Sequence, residues 1–377
     1  MAKQPEVVVI TGASAGLGRA TVREFARHGC SIGLLARGSA GLENAREEVE
    51  ALGGRALIVP TDVADHSQVE AAAIAVESRL GPIDIWINNA MVSVFSRFDE
   101  MDAEEFKRVT EVTYLGVVYG TMSALKLMIP RNRGTIVQVG SALAYRSIPL
   151  QSAYCGAKHG IRGFTDSVRS ELIHDKINIH LGMVQLPAMN TPQFDWVKSR
   201  LPGKPQPVPP IFEPEVAARG IYWAAHHRRR ELNIGFPTVE AILGNKIFPG
   251  YLDRYLAKHG FEAQQTDEPA DPYRPDNLWN PLPGDYGARG RFTQRSRSHS
   301  WQLWLTTHRA WFGLGLAALT AGAAGLAYTM KRWNSKQSLS DLVRTVLRQP
   351  LKLPARVIPF VSSKRKTESA AERAQQS

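Results

Sequence analysis

Residues 7–18 read Val-Val-Val-Ile-Thr-Gly-Ala-Ser-Ala-Gly-Leu-Gly, a strand-like run that leads directly into a glycine-rich loop. The apolar residues at 7–10 predict a buried strand, and the glycines at 12, 16 and 18 stand where a helix is expected to begin. Glycines permit a tight turn, and they let backbone N–H groups approach a pyrophosphate at the N-terminus of that helix. This order of strand, loop and helix predicts a dinucleotide-binding fold.

The alternation of apolar strands and helical patterns continues to residue 184. Strand-like runs occupy 6–10, 31–36, 55–60, 83–88, 134–139 and 177–184, and helical patterns lie at 17–28, 41–52, 67–80, 101–129 and 152–175. We expect an α/β fold, a Rossmann-like doubly wound parallel sheet with helices on both faces, because strands covered on both faces are almost continuously apolar. The catalytic domain is expected to span residues 1–262.

The 377 residues are enough for one large domain and further segments. Residues 263–308 are rich in Pro, Asp, Gly, Arg and Ser, which predicts a polar linker, packed in part. Residues 310–330 carry no charge and have basic residues on both sides, which predicts a transmembrane helix over 309–331. A buried helix or an interfacial hairpin is the alternative.

Residues 332–377 predict a basic amphipathic or disordered tail. We therefore expect a single-pass membrane protein, anchored near its C-terminus, with the catalytic domain on the cytoplasmic side because the chain starts without a secretory signal. The two cysteines, Cys30 and Cys155, predict no disulfide scaffold and fit a reducing compartment. No group of residues has the spacing of a metal site.

The positive charge lies at the C-terminal end of the chain. Residues 289–377 carry 16 lysines and arginines against 3 acidic residues, a net charge of +13, so the first 288 residues carry −2 of the total of +11. Such a tail suits an anionic membrane surface or a nucleic acid. Because no aromatic platform is interleaved with the basic residues after Trp333, we expect no nucleic-acid partner.

Tyr154 and Lys158 stand four residues apart on a predicted helix, and Ser141 precedes Tyr154 by thirteen residues. Residues four apart share one face of a helix, so the Lys158 ammonium is expected beside the Tyr154 phenol. A nearby cation lowers the pKa of a phenol, and a phenol tuned in this way can act as a general acid or base.

Polar residues also end the second, third and fourth predicted strands. Arg37 ends the second strand, where an arginine favours the 2′-phosphate of NADP, although NAD remains possible and a surface arginine is the alternative. Asp62-Val63 ends the third strand, where it can meet an adenine edge, and Asn89-Ala90 ends the fourth. Cofactor contacts belong at the carboxyl ends of strands in such a sheet.

With these motifs the chain resembles the short-chain dehydrogenase/reductase family over roughly residues 5–240. The resemblance rests on Thr11 to Gly18 as TGxxxGxG, on Asp62-Val63, Asn88 to Ala90 and Ser141, on Tyr154 to Lys158 as YxxxK, and on Pro187 and Thr191. It implies that Ser141 polarises a substrate carbonyl, that Tyr154 passes a proton, and that Lys158 lowers the pKa of Tyr154 and holds the nicotinamide ribose. Thr191 would bond the nicotinamide carboxamide. The candidate cofactor-binding residues are Gly12, Ser14, Gly16, Leu17, Gly18, Arg37, Asp62, Val63, Asn89, Ala90, Tyr154, Lys158, Pro187 and Thr191.

The chain departs from the family pattern at three positions. Thr113 stands where the family often has an asparagine that completes a proton relay, and we count it as a catalytic candidate. Met91 and Ala188 replace two glycines and put side chains near the expected nicotinamide pocket. We interpret both as shaping that pocket.

The sequence thus predicts an NADP(H)-dependent oxidoreductase that interconverts a carbonyl and an alcohol. Phe194, Trp196 and Phe212 flank a Pro-rich loop and either cover an apolar substrate (a steroid, retinoid or fatty-acyl derivative) or pin the loop. The alternative function is a membrane-tethered NADP(H)-binding scaffold or redox sensor with little turnover. The helices at 101–129 and 152–175 are expected to pair in a homodimer, as the family often does.

Overall fold

The computed structural model describes residues 5–348, leaving aside the side chains of 310–318, 335 and 346. The chain divides into two compact units, Met1–Arg309 and Ala310–Ser377. In the described part, the strands are β1 Val7–Thr11, β2 Ser31–Ala36, β3 Arg55–Pro60, β4 Ile83–Asn88, β5 Val94–Phe95, β6 Gly134–Val139, β7 Ile179–Gln185, β8 Lys198–Ser199, β9 Gly203–Pro205, β10 Ile211–Phe212, β11 Glu231–Asn233, β12 Gln265–Pro269 and β13 Ser296–Arg297.

Helices connect most of these strands. The α-helices of the described residues are α1 Gly16–Arg27, α2 Ser39–Ala51, α3 His66–Leu80, α4 Ala103–Thr110, α5 Gly116–Met128, α6 Ser152–His174, α7 Gln193–Trp196, α8 Pro214–His226, α9 Phe236–Ile247, α10 Pro249–His259, α11 Trp301–Thr307 and α12 Arg309–Leu347. A π-helical turn at Glu111–Leu115 joins α4 to α5.

Seven strands form one parallel sheet in the order β11-β7-β6-β4-β1-β2-β3. The order reverses at β1, so β1 and β4 lie side by side although β2 and β3 intervene in sequence. Parallel strands joined by helices end at the same edge of a sheet, and a crevice opens where the strand order reverses. The predicted doubly wound parallel α/β fold is confirmed.

Helices cover both faces of the sheet. Residues of α1, α2 and α8 form one core cluster with the strands, around Phe25, Leu42 and Ile221. Residues of α3, α5 and α6 form the other, around Trp86, Val76 and Leu172. The almost continuously apolar strands follow from this arrangement, because every side chain of β1 and β2 is buried whichever way it points.

The segment 263–308, expected to be a polar linker packed in part, lies within the first compact unit. Its strand β12 pairs with β9 and its strand β13 pairs with β10. The side chains of Leu278 and Leu303 are buried in the two core clusters on opposite faces of the sheet. The segment therefore belongs structurally to the domain that contains the glycine loop.

Among the described residues, one helical stretch is long and apolar enough to cross a bilayer, Ala103–Arg131, and half of its most apolar part is buried inside the domain. A core helix of a globular domain has the same properties, and this one packs on β4. The transmembrane helix expected at 309–331 falls within α12, where the side chains of 310–318 are not described, and it is not confirmed. Residues 349–377 of the predicted tail lie outside the described residues.

The close approach of the two ends of the glycine loop gives the first prediction. A Cβ at Gly18 would lie 1.9 Å from the carbonyl oxygen of Gly12, whereas a Cβ at Gly163, on the exposed side of α6, would meet nothing within 4 Å. Gly18→Ala should lower the free energy of unfolding by about 1–3 kcal/mol, because backbone must move to admit the methyl group. Gly163→Ala should raise it by up to about 1 kcal/mol.

Urea denaturation followed by circular dichroism measures both values, with Gly163→Ala as the matched control. Equal stability of Gly18→Ala and the wild-type chain would contradict the close packing of this turn.

Candidate active site

A cavity of about 440 Å³ lies at the carboxyl ends of the strands, beside the N-terminus of α1. The structure brings all but one of the predicted site residues to its wall. Those residues are Gly12, Ser14, Gly16, Leu17, Gly18, Arg37, Asp62, Val63, Asn89, Ala90, Ser141, Tyr154, Lys158, Pro187 and Thr191. The exception is Thr113.

The glycine loop is fastened to the end of β4 by Thr11. Its hydroxyl accepts hydrogen bonds from the backbone N–H groups of Asn89, at 2.9 Å, and Ala90, at 3.0 Å. Gly12 has a positive φ of 68°, and a Cβ there would lie 2.9 Å from the Ala90 Cα. A side chain would therefore both strain the turn and fill the floor of the cavity.

Ser141 follows the end of β6 and is held through its backbone. Its N–H donates to the Gln185 side-chain carbonyl at 2.7 Å, and its hydroxyl accepts from the Leu143 N–H at 3.1 Å. Gln185 in turn donates to Glu231 at 2.5 Å, and the Tyr145 hydroxyl donates to the same carboxylate at 2.6 Å. The motifs do not identify this chain of hydrogen bonds, although the buried polar Gln185 at the end of the largely apolar strand β7 is a signal for it.

The Lys158 side chain is buried, and its ammonium contacts the protein backbone. Its ammonium donates to the Val139 carbonyl at 2.7 Å and lies 5.5 Å from the centre of the Tyr154 ring. Burial lowers the pKa of Lys158 to about 8, because a charged amine is poorly solvated there.

Tyr154 has a raised pKa, which is the opposite of the predicted direction. Burial is the main cause, the neighbouring Cys155 adds to it, and a hydrogen bond with Ser141 acts the other way. The prediction considered only the cation four residues away, yet that cation binds Val139 instead of the phenol oxygen. The loss of solvation outweighs the expected attraction, so Tyr154 carries its proton at neutral pH.

Thr113 is fully buried within the π-helical turn and does not reach the cavity. Its hydroxyl donates to the Val92 carbonyl at 2.8 Å and accepts from the Val92 N–H at 3.1 Å. These bonds fasten the helix to the segment after β4, so its geometry fits a structural contact better than a proton relay.

The aromatic residues of the Pro-rich loop have divided roles. Phe194 and Phe212 are buried among apolar side chains, which pins the loop, and Phe194 also lines the cavity. Trp196 lines the cavity and meets Tyr286 edge-on at 4.7 Å between ring centres. Met91 and Ala188 also line the cavity, as expected for residues that shape the pocket.

The part of the cavity around Arg37, where the adenosine of a dinucleotide is expected, is here called the adenosine end, and it is basic. Arg37 lies at the end of β2, and no carboxylate pairs with it among the described residues, whereas Asp62 pairs with Arg108 at 2.5 Å. Burial lowers the pKa of Arg37, the nearby carboxylate of Asp62 acts against this shift, and Arg108 adds to it. The cradle of glycines, a helix N-terminus and an arginine without an acidic partner fit a phosphate-bearing dinucleotide.

The burial of Lys158 gives a prediction about stability and pH. Below pH 8 the lysine is protonated in the folded and unfolded chains, and the penalty for burying its charge is complete. Between pH 8 and its ordinary pKa of 10.5, the folded chain loses the proton first, so the wild-type chain gains stability as the pH rises. Lys158→Met should be the more stable protein at pH 7, and this advantage should shrink by about 2 kcal/mol by pH 9.5.

Urea denaturation at both pH values measures the difference, with Lys258→Met on the exposed side of α10 as a control for the substitution itself. An advantage that stays constant with pH would show that burial does not depress the pKa of Lys158.

Comparisons with known proteins agree with this site. Residues 6–199 match the family model described as short chain dehydrogenase. An uncharacterized oxidoreductase of Bacillus subtilis (strain 168) is 31% identical over 277 residues, which cover 73% of this chain and 78% of the relative. The 3-dehydrosphinganine reductase of Danio rerio is 34% identical over 192 residues, which cover 50% of this chain and 57% of the relative.

Two solved structures share the fold. Levodione reductase is 27% identical, with a TM-score of 0.53 over 61% of this chain and 95% of that chain. An alcohol dehydrogenase from the archaeon Thermococcus sibiricus, complexed with 5-hydroxy-NADP, is 25% identical, with a TM-score of 0.51 over the same shares. The family match and these relatives place the chain in the short-chain dehydrogenase/reductase family, the oxidoreductases that act on a CH–OH group with a nicotinamide cofactor.

Proposed function

We propose that this protein is an NADP(H)-dependent carbonyl reductase for an apolar substrate. The observation that carries the proposal is the placement of the Tyr154 phenol with Ser141 and Lys158 in the cavity that the glycine loop lines. A phenol that keeps its proton at neutral pH is a general acid, and a general acid serves the reduction of a carbonyl.

The roles of the side chains follow from their chemistry. The Ser141 and Tyr154 hydroxyls donate hydrogen bonds to the substrate carbonyl oxygen, and Tyr154 gives its proton to that oxygen as negative charge develops. The buried ammonium of Lys158 stabilises the phenolate that remains. When bound, the nicotinamide cofactor supplies the hydride. Gln185 and Glu231 hold the Ser141 backbone in place and do not themselves line the cavity.

NADP is favoured over NAD by the unpaired positive charge of Arg37 at the adenosine end. The alcohol dehydrogenase with a similar fold was solved with 5-hydroxy-NADP, which supports the same preference. Gly12, Ser14, Gly16, Leu17 and Gly18 would hold the phosphates. Asp62, Val63, Asn89 and Ala90 would contact the adenine and ribose side, and Pro187 and Thr191 the nicotinamide side.

An apolar substrate is favoured by the apolar side chains in the lining of the cavity. They include Val92, Phe95, Leu143, Ile148, Met189 and Val208. Burying such a surface against a steroid, retinoid or fatty-acyl chain is favourable, at roughly 25 cal/mol per Å² of apolar area. One relative of this chain is a 3-dehydrosphinganine reductase.

We further propose that α12 anchors the protein in a membrane with the catalytic domain on the cytoplasmic side. The uncharged run 310–330 has the length of a bilayer span, and Leu319, Leu326 and Met330 are exposed large apolar residues on it.

A homodimer through the helices at 101–129 and 152–175 is also proposed, and sedimentation of the detergent-solubilised chain tests it.

Turnover tests the proposed reaction. The full chain should oxidise NADPH in the presence of one or more apolar ketones or aldehydes from a mixed panel, and Tyr154→Phe should lower kcat by a factor of about 10²–10⁴ because the proton donor is lost. NADPH affinity, followed by cofactor fluorescence, should change less than about twofold in the same variant.

Equal turnover in the wild-type and Tyr154→Phe chains would contradict the assigned acid. Tight NADPH binding with no turnover on any carbonyl would favour the alternative of a cofactor-binding scaffold or redox sensor.

The anchor is tested by truncation at the boundary between the two units. A chain cut after Arg309 should leave the membrane pellet and still bind NADPH, because Leu303, which is buried in the core, is retained. The full chain should stay in the pellet after a carbonate wash. A truncated chain that also resists this wash would place the membrane attachment elsewhere.

A further inference from the structure

The segment 276–287, here called the extension wall, crosses the adenosine end of the cofactor cavity. On its upstream side the Leu278 side chain is fully buried among core residues that include Val63 and Val109, and the Asn277 N–H donates to the Trp196 carbonyl at 3.1 Å. On its downstream side Ala288 is buried against Ala20 and Ala218. The extension wall is therefore fixed at both ends.

The extension wall also binds the glycine loop directly. The Gly287 carbonyl accepts the Gly16 N–H at 2.8 Å. Asp285 lies 3.4 Å from the guanidinium of Arg19, which is itself buried on α1. These contacts join a segment from the C-terminal part of the domain to the first turn of the dinucleotide fold.

The strongest link is to Arg37. Its Nη1 donates to the carbonyls of Leu278, at 3.3 Å, and Trp279, at 2.9 Å, and its Nη2 donates to the Asn277 carbonyl at 2.6 Å. A guanidinium has five N–H donors, so these three bonds leave two. Neutral carbonyls fix the orientation of the guanidinium without cancelling its charge, which leaves a charged pair of donors for a phosphate.

Residues of the extension wall line the same cavity as the glycine loop. Asn277, Pro281, Leu282, Gly284 and Tyr286 share the cavity with Ser14, Arg37 and Asp62. The three carbonyls that orient Arg37, here called the carbonyl bracket, therefore belong to a segment that lines the same cavity as Arg37.

We propose that the extension wall is part of the cofactor site and sets the preference for NADP over NAD by holding Arg37 for the 2′-phosphate. The inference rests on the proposed use of NADP. The carbonyls of Asn277, Leu278 and Trp279 are positioning groups that act through Arg37. Loosening them should weaken NADPH binding and leave NADH binding nearly unchanged, since NADH has no 2′-phosphate.

Two aspartates offer a matched pair of variants for the full chain. Asp276 accepts the Leu278 N–H at 3.0 Å and so fixes the turn that presents the three carbonyls. Asp271 accepts the Tyr273 N–H at 2.9 Å in the same way, five residues upstream, where Tyr273 is 92% exposed. Asp276→Ala loosens the bracket, and Asp271→Ala removes an equivalent bond away from Arg37.

The dissociation constants of NADPH and NADH are measured by fluorescence titration for each variant. Asp276→Ala should weaken NADPH binding by about tenfold and NADH binding by less than about twofold, because a charge-assisted contact to the phosphate is lost. Leu278→Ala should shift the ratio in the same direction, and retained NADH binding shows that it is folded. Asp271→Ala should match the wild-type chain.

Arg37→Asp separates this inference from the proposed function. If the wild-type chain prefers NADPH and Arg37→Asp loses that preference, while Asp276→Ala and Leu278→Ala keep the wild-type ratio of the two affinities, the extension wall has no part in specificity and the inference fails. If the wild-type chain shows no preference and Arg37→Asp changes nothing, the proposed NADP use fails and this inference fails with it.

Discussion

The active site depends on the close contact between the ends of β1 and β4. The Thr11 hydroxyl draws the two strand ends together, and the absence of side chains at Gly12 and Gly18 lets the loop fold back on itself against Asn89 and Ala90. The order of the sheet reverses at β1, and in such sheets a crevice for a dinucleotide opens at the point of reversal. The contact between β1 and β4 therefore lies at the floor of this crevice. The other site residues lie on strand ends, on helices or on the loops that follow the strands, all of which the sheet positions relative to this point.

Burial has a larger effect on the catalytic groups than their mutual attraction. Placing Tyr154 and Lys158 four residues apart on α6 brings both into the domain, where Lys158 is buried, Tyr154 is partly buried, and each is less well solvated than in water. The pKa of the phenol rises and the pKa of the amine falls, so both groups are shifted toward their neutral forms. Sequence spacing predicted the pairing but not the sign of the change in Tyr154, because solvation depends on the tertiary structure around the helix.

The sequence was sufficient for the sheet and for most of the cavity wall, since these depend on local patterns. Apolar runs predicted the parallel strands, and the glycine, Asn-Asn-Ala and Tyr-x-x-x-Lys motifs marked residues that do meet in one cavity. Thr113 was chosen by alignment with a family position, but its hydroxyl is fully engaged with the Val92 backbone. Gln185 and Glu231 were missed because they act on the Ser141 backbone across neighbouring strands, which no spacing along the chain reveals.

The extension wall shows what composition could not reveal about residues 263–308. Its Pro, Gly and Asp residues have the composition of a linker, and only Leu278 and Ala288 among the wall and its flank are buried like core residues. The groups that contact Arg37 and Gly16 are backbone carbonyls, which every residue possesses and no motif encodes. A polar segment with a few buried anchors can thus build a binding surface from its backbone alone, because irregular chain leaves its carbonyls free of the ladders that occupy them in sheets and helices.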